Sequence, residues 1–147
     1  MSKIKTVLYT GQTHTTVKRA AASASDHGLV DIRMSSPDGT GTVLEAAAPH
    51  STAEQLFAGA WSACYITAVQ LVAQQMSVTL PKDLSVDIQV ELGQSGADWL
   101  LQARMDVRAP GLEQAVAETL AQTAHAICPY SKAVKGNIDV ALNVSVS

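Results

Sequence analysis

Residues 51–76 read STAEQLFAGAWSACYITAVQLVAQQM and carry a helical pattern. Ser51 is followed three positions later by Glu54, the spacing of a capping box, which predicts that a helix starts here. The segment after it is apolar nearly all round, at Leu56, Phe57, Ala60, Trp61, Ala63, Cys64, Ile66, Ala68, Val69, Leu71 and Val72. A helix without a polar face is buried on all sides. We therefore expect a sheet on one side of this helix and a second chain on the other.

Strand patterns lie before and after this helix. β-rich or alternating runs before it cover residues 6–10, 13–17 and 29–34. After it, residues 86–92 and 101–107 alternate cleanly around a loop at 94–98, which predicts a hairpin. Apolar residues then recur at helical spacing from Leu112 to Ala124, and Pro129 is expected to end that helix. Residues 138–146 alternate as a final strand.

The length and the net charge of the chain limit the partners and the location that it can have. The chain has 147 residues, which predicts a single domain over residues 1–147 with a sizeable core. The net charge is −3 and no Lys/Arg cluster is present, which argues against nucleic acid or a membrane surface as a partner. No apolar run has the length of a membrane span, and the N-terminus lacks the pattern of a signal peptide. The expected location is therefore cytoplasmic, where thiols are kept reduced.

The two cysteines of the chain, Cys64 and Cys128, are the candidates for chemistry. In a reducing compartment they are either inert core residues or redox-active thiols. Cys64 lies in the middle of the apolar helix, where burial raises a thiol pKa and favours the inert state. Reactivity requires a cation that stabilises the thiolate, and the candidates are Arg19, Lys18 and His125.

A zinc site is a weaker alternative. His125 and Cys128 lie three positions apart and would supply three ligands together with Cys64. No fourth ligand has a recognisable spacing, so we expect no metal and no other cofactor. The Cys128-Pro129-Tyr130-Ser131 run is similar to a glutaredoxin active site, but here it follows a helix near the C-terminus. The residues before Cys64 likewise do not fit an ordinary peroxiredoxin.

Taken together, the two cysteine contexts resemble the organic hydroperoxide resistance (Ohr) branch of the OsmC/Ohr family. The similarity runs over nearly the whole chain. It is strongest in four segments, Val7-Leu8-Tyr9-Thr10, the run from Glu54 to Cys64, His125 with Cys128-Pro129-Tyr130-Ser131, and Gly136-Asn137-Ile138-Asp139-Val140. The resemblance implies an α+β fold, an intertwined homodimer in which two long central helices are wrapped by β-sheets.

The resemblance also implies an activity and assigns residues to it. The family consists of Cys-based peroxidases that reduce organic hydroperoxides with a dithiol reductant, typically of the lipoyl type. Cys64 matches the peroxidatic cysteine and Cys128 the resolving one. Arg19 falls where the family has the arginine that stabilises the thiolate, and Glu54 matches the glutamate that orients it. Ten residues of helix span roughly 15 Å, so we expect Glu54 to serve the Cys64 site of the other chain in a dimer.

The expected mechanism runs through a Cys64 sulfenic acid and a Cys64–Cys128 disulfide that an external dithiol reduces. Apolar residues near the cysteines would favour an organic substrate, and the candidates are Phe57, Trp61, Ile127 and Tyr130. The main alternative is a non-enzymatic dimeric module that binds an apolar ligand and keeps both thiols inert. A disulfide exchanger that acts on proteins is less favoured, because the chain has no Cys-x-x-Cys pair.

Overall fold

The computed structural model describes residues 3–16 and 53–147 and has an α+β architecture. The chain order of the elements is β1 (Thr6–Thr16), α1 (Ala53–Gln75), β2 (Ser85–Ser95), β3 (Asp98–Arg108), α2 (Gln114–Ile127), α3 (Pro129–Val134) and β4 (Asp139–Ser145). The α+β class that the resemblance implied is therefore confirmed. The strand predicted at residues 29–34 and the start of the capping box at Ser51 lie outside the described residues.

The four strands of the described residues form one sheet in the order β1-β2-β3-β4. Strand β2 runs antiparallel to both β1 and β3, and β4 runs parallel to β3. Antiparallel strands can be joined by a tight turn, whereas a parallel pair needs a crossover, which here contains α2 and α3. The β2–β3 hairpin is longer than predicted, because Ser95 pairs with Asp98 and leaves two residues in the turn. Gly96 has a φ of 65° there, a conformation that glycine adopts without steric cost.

The N-terminal strands required a correction. The sequence predicted two runs, at residues 6–10 and 13–17, but the structure has a single eleven-residue strand. Gly11 and Gln12 interrupt the β-branched pattern without interrupting the strand, since Gly11 pairs with Val90 and Gln12 with Gln89. Gly11 is needed at this point because a Cβ there would collide with the backbone of Glu54 and Gln55 in α1.

Helix α1 is the centre of the core. It packs against β1, β2 and α2, and its fully buried side chains include Trp61, Tyr65 and Val69. The predicted sheet on one side of this helix is thus confirmed. Among the described helices α1 alone is long and apolar enough to cross a bilayer, with a mean hydropathy of 1.5. Half of that window is buried inside the protein. By length and composition alone, the expectation that no apolar run reaches the length of a membrane span was wrong.

One side of α1 is not covered by the other described residues of its chain. Exposed residues recur along it at intervals of three and four, at Ala60, Ala63, Thr67, Gln70 and Gln74. This spacing places them on one face of the helix. Leu71 lies beside them and is 48% exposed, which is unusual for leucine in a core helix. The second chain that was expected on this side stays a prediction.

Candidate active site

Two free thiols meet where α1 passes the junction of α2 and α3. The Sγ atom of Cys128 lies 3.4 Å from the Sγ atom of Cys64, in hydrogen-bonding contact. The two residues are 64 positions apart in the sequence, so only the fold brings them together. Cys64 is partly exposed, whereas Cys128 is completely buried. The pair therefore combines one sulfur that solvent reaches with one that it does not.

The position of Cys128 follows from the proline after it. A proline disfavours helical dihedrals in the residue before it, and Cys128 accordingly has a φ of −59° and a ψ of 123°. Its backbone N–H donates to the Ala124 carbonyl at 2.9 Å, and its carbonyl accepts from the Lys132 N–H at 3.0 Å. Cys128 thus ends α2 and begins α3, in which Pro129 takes the first helical position. The sequence predicted the end of α2 but not the short helix after it.

The surroundings of Cys64 act on its thiolate in opposite directions. Burial is the largest effect and raises the pKa of Cys64, because desolvation disfavours the charged form. The neighbouring Cys128 thiol raises this pKa further. The backbone N–H of Tyr130, in the first turn of α3, lowers it by donating to the sulfur. That amide is the stabilising group that the described residues provide, and the sequence analysis missed it, since a backbone contact leaves no side-chain signal.

A second contact between α1 and α3 lies beside the thiols. The indole Nε1 of Trp61 donates to the Oγ of Ser131 at 3.0 Å, and both residues are buried. The ring of Phe57 packs against Trp61 with a centroid distance of 5.7 Å. Trp61 was predicted to contact an apolar substrate, but it is completely buried and its polar atom is occupied. It supports the site from within, while Phe57, Ile127 and Tyr130 keep exposed surface.

Tyr65, the residue after Cys64 in α1, contacts His125 of α2. The hydroxyl of Tyr65 donates to the Ala121 carbonyl at 2.9 Å, and burial raises the pKa of this phenol. The His125 ring packs edge-on against Tyr65, and its buried Nδ1 has no hydrogen-bond partner among the described residues. Burial, and then the charge of Lys135, lower the pKa of His125. The ring therefore favours its neutral form, which makes His125 a poor candidate for the cation at the Cys64 thiolate.

The remaining predicted site residues divide between described and undescribed parts of the chain. Glu54 is buried in the first turn of α1, directly over Gly11. Ten residues separate it from Cys64 in the same helix, so the two do not meet within one chain. Arg19 and Lys18 lie outside the described residues. Across the described ranges, no three His, Cys, Asp or Glu side chains are grouped to hold a metal ion, so the zinc alternative has no ligand set there.

Two cavities of the described residues do not include the thiols. One measures about 540 Å³ and lies on the sheet among strand residues, including Gln89, Glu91, Gln102 and Arg104. Another measures about 270 Å³ and lies beside His125, Ser131, Lys132 and Lys135. Neither cavity is lined by a cysteine. The contact between the two thiols is the feature that distinguishes the site chemically.

Comparisons with known proteins agree with this arrangement. A family model described as OsmC-like protein matches residues 46–143. The organic hydroperoxide resistance protein of Xanthomonas axonopodis pv. citri is 34% identical over 145 residues, which cover 99% of this chain and 100% of that protein. OhrA of Bacillus subtilis is 36% identical over 92 residues, which cover 63% of this chain and 65% of OhrA.

A solved structure supports the same assignment. The crystal structure of an organic hydroperoxide resistance protein from Elizabethkingia anophelis superposes with a TM-score of 0.69 at 30% identity. The superposition covers 98% of this chain and 100% of that one. The chain therefore belongs to the OsmC/Ohr family, and within it to the organic hydroperoxide resistance branch.

Proposed function

We propose that this protein is a peroxide-detoxifying enzyme, a thiol peroxidase that reduces organic hydroperoxides to alcohols. The observation that carries the proposal is the contact between one partly exposed thiol and one buried thiol, with their sulfurs 3.4 Å apart. The names of the relatives, which refer to organic hydroperoxide resistance, support the choice of substrate. Phe57, Ile127 and Tyr130 supply apolar surface near the thiols for the organic group.

In the first step Cys64 acts as the nucleophile. Its thiolate attacks the distal oxygen of the hydroperoxide, the O–O bond breaks, and the alkoxide leaves as an alcohol after taking a proton. Cys64 becomes a sulfenic acid. We assign thiolate stabilisation to Arg19 together with the Tyr130 backbone N–H, and orientation of Arg19 to Glu54 of the other chain in a dimer. Because burial raises the pKa of Cys64, such a cation is needed near neutral pH.

In the second step Cys128 resolves the sulfenic acid. Its sulfur attacks Cys64 Sγ, a disulfide forms, and water leaves with the proton of the Cys128 thiol. A disulfide bond joins sulfurs at about 2.0 Å, so the two atoms must approach each other by about 1.4 Å. The position of Cys128 between two helices allows this movement, since it requires a change at one backbone joint and not within a helix.

An external dithiol then restores the enzyme. Its first thiolate attacks Cys64 Sγ, because Cys128 is completely buried and Cys64 is not. Cys128 leaves as a thiolate, and the second thiol of the reductant attacks the mixed disulfide and frees Cys64. We propose a lipoyl-type dithiol in the cytoplasm as the reductant, on the basis of the family resemblance.

We also propose that the active form is a homodimer built from single-domain chains. The exposed small and polar residues from Ala60 to Gln74 and the exposed side chain of Leu71 provide a helix face on which a second copy can pack. Sedimentation at micromolar concentration tests this point. A stable monomer that retains full peroxidase activity would contradict it.

Mass spectrometry after one equivalent of cumene hydroperoxide tests the chemistry. We expect a loss of two hydrogens per chain, mapped to a disulfide between Cys64 and Cys128. The raised pKa of Cys64 is the observation that favours the alternative, a module that binds an apolar ligand with inert thiols. In that case both thiols stay reduced after the hydroperoxide is added, and both still react with a thiol reagent under denaturing conditions.

A further inference from the structure

Two contacts between the same two helices lie side by side at this site. In α1, Trp61 precedes Cys64 by three positions, which places the two side chains on neighbouring parts of one helix face. Ser131 follows Cys128 by the same three positions at the start of α3. The Nε1–Oγ distance between Trp61 and Ser131 is 3.0 Å, and the Sγ–Sγ distance between the cysteines is 3.4 Å. The first contact therefore fixes the position of the element that carries the second.

Resting on the proposed function, we propose that Ser131 is a positioning residue that acts through its hydrogen bond to Trp61. This bond holds α3 against α1 and keeps the Cys128 sulfur within reach of Cys64. By doing so it decides whether the Cys64 sulfenic acid is captured by Cys128 or is oxidised further by a second hydroperoxide.

The hydrogen bond between Trp61 and Ser131 can hold α3 against α1 because both side chains are shielded from water. Trp61 is 0% exposed and Ser131 is 3% exposed, and the indole N–H can only donate. If the serine hydroxyl is removed, the buried N–H has no water to replace it, and such an unpaired donor is costly. The local structure then shifts so that the donor can find another partner.

Helix α3 has little intrinsic stability with which to resist such a shift, and its buried Val134 anchors only its opposite end. It has six residues, and isolated helices of this length do not hold together in water. The backbone of Cys128 is the joint between α2 and α3, with a ψ of 123° that belongs to neither helix. A rotation at this joint moves Ser131 and the Cys128 sulfur relative to α1. The hydrogen bond to Trp61 opposes that rotation at the far side of the joint.

The main chemical consequence is a change in partition. The sulfenic acid of Cys64 either condenses with Cys128, releasing water, or attacks a second hydroperoxide, releasing a second alcohol and forming a sulfinic acid. Condensation depends steeply on the Sγ–Sγ distance, since a misplacement of about 1 Å can slow a reaction by about 10²-fold. The first oxidation does not use the Ser131 hydroxyl, but the Tyr130 N–H beside it lies in the same helix, so the rate of that step should fall less than the rate of capture.

The test compares Ser131→Ala with Trp61→Phe and with the double variant. Each full-length protein is treated with increasing cumene hydroperoxide, and the ratio of Cys64–Cys128 disulfide to Cys64 sulfinic acid is measured by mass spectrometry. We expect sulfinic acid to form in Ser131→Ala at about one tenth of the wild-type peroxide dose. The double variant should form sulfinic acid at the same dose as the more affected single variant. The reason is that the same hydrogen bond, between Trp61 and Ser131, is missing in all three variants.

Tyr65→Phe is the matched control. It removes another buried hydrogen bond of α1, from the Tyr65 hydroxyl to the Ala121 carbonyl in α2, and leaves the contact with α3 intact. It should lower stability to urea to a similar degree and leave the partition as in the wild type. If Ser131→Ala shares the wild-type ratio, or if Tyr65→Phe shifts the ratio equally, Ser131 has no positioning role. If Ser131→Ala does not fold, Trp61→Phe decides the question by the same ratio.

The experiment distinguishes a failure of the positioning role from a failure of the proposed function. If the wild-type protein forms no disulfide with one equivalent of hydroperoxide, the peroxidase mechanism itself is wrong. If the wild type forms the disulfide and the Ser131→Ala partition is unchanged, only the positioning role is wrong.

Discussion

The two cysteines differ in how their backbones are held. Cys64 lies in the middle of a 23-residue helix that packs on the sheet, and it is partly exposed. Cys128 lies at a joint between a 14-residue helix and a six-residue helix, and it is completely buried. The difference suits the two roles that we propose for them. A sulfur that meets substrate benefits from a fixed backbone, whereas one that approaches its partner by about 1.4 Å to form a bond benefits from a joint.

The strongest way to test this division is to remove each sulfur in turn. Cys64→Ser should abolish peroxidase activity, because it removes the nucleophile. Cys128→Ser should react once with hydroperoxide and then become over-oxidised at Cys64, because no second thiol captures the sulfenic acid. Single-turnover kinetics with cumene hydroperoxide and mass spectrometry of the products measure both effects. Equal residual activity in the two variants would show that the roles are wrongly assigned.

The next effect concerns the charge that the Cys64 thiolate requires. Burial raises the pKa of Cys64, so the thiolate fraction, and with it the oxidation rate, rises as pH increases through that pKa. If Arg19 counteracts burial, Arg19→Ala moves the rate–pH profile to higher pH and slows the reaction at neutral pH by about 10²-fold or more. Lys18→Ala is the matched control and should leave the profile unchanged. If Lys18→Ala shifts the rate–pH profile and Arg19→Ala does not, the cation that stabilises the thiolate is Lys18 and not Arg19.

Glu54 should have a smaller effect than Arg19, because it contributes orientation and not the charge that stabilises the thiolate. We expect Glu54→Ala to slow Cys64 oxidation by about tenfold, equivalent to about 1.4 kcal/mol. The same rate–pH measurement checks this expectation. Glu54→Gln tests the reason, since it preserves shape and removes the carboxylate charge. A larger loss in Glu54→Ala than in Arg19→Ala would mean that the carboxylate acts on the thiol directly.

The fixed backbone of Cys64 depends on close packing at the start of α1. An alanine at Gly11 would collide with the backbone of Glu54 and Gln55, so Gly11→Ala should lower the free energy of unfolding by about 1–3 kcal/mol. Urea denaturation measures the loss. Thr10→Ala is the control, because Thr10 is its exposed neighbour in the same strand. If both variants lose the same stability, the contact between β1 and α1 is looser than described.

The smallest effect is expected at Tyr130. Its backbone N–H donates to the Cys64 sulfur, whereas its side chain is 41% exposed. Tyr130→Phe keeps the amide and the apolar ring, so the rate of Cys64 oxidation should stay within about twofold of the wild type. A loss of more than tenfold would instead assign the phenol hydroxyl a part in the reaction.

The parts that could be predicted from the sequence are those that repeat a local pattern. The long apolar helix and the alternating strands after it follow from side-chain periodicity, and the break at Cys128 follows from Pro129. The two cysteines were recognised as a pair by their contexts. Gly11 fell between the two predicted strands, because a glycine in a β-rich run has the same local signal whether it ends the strand or allows a helix to approach it closely.

The contacts that complete the site could not be predicted from the sequence, because no local pattern indicates them. The bond between Trp61 and Ser131 joins residues 70 positions apart, and no periodicity within either helix indicates it. The Tyr130 amide carries no sequence information, because nearly every residue has the same backbone N–H. Helix α3 is too short for a repeating pattern to show. These features become visible only when the elements are packed together.

The placement of the two tryptophans gives the protein an optical property. Trp61 is completely buried and lies within one helical turn of Cys64, while Trp99 is 59% exposed at the end of the β2–β3 hairpin. A shielded indole emits at shorter wavelengths than a solvated one, and a neighbouring disulfide quenches indole emission. If Cys64 and Cys128 form the proposed disulfide, fluorescence at the blue edge of the spectrum should fall as they are oxidised, and Trp99→Phe should remove the background. Each turnover of the proposed peroxidase would then be followed by light, with no added dye.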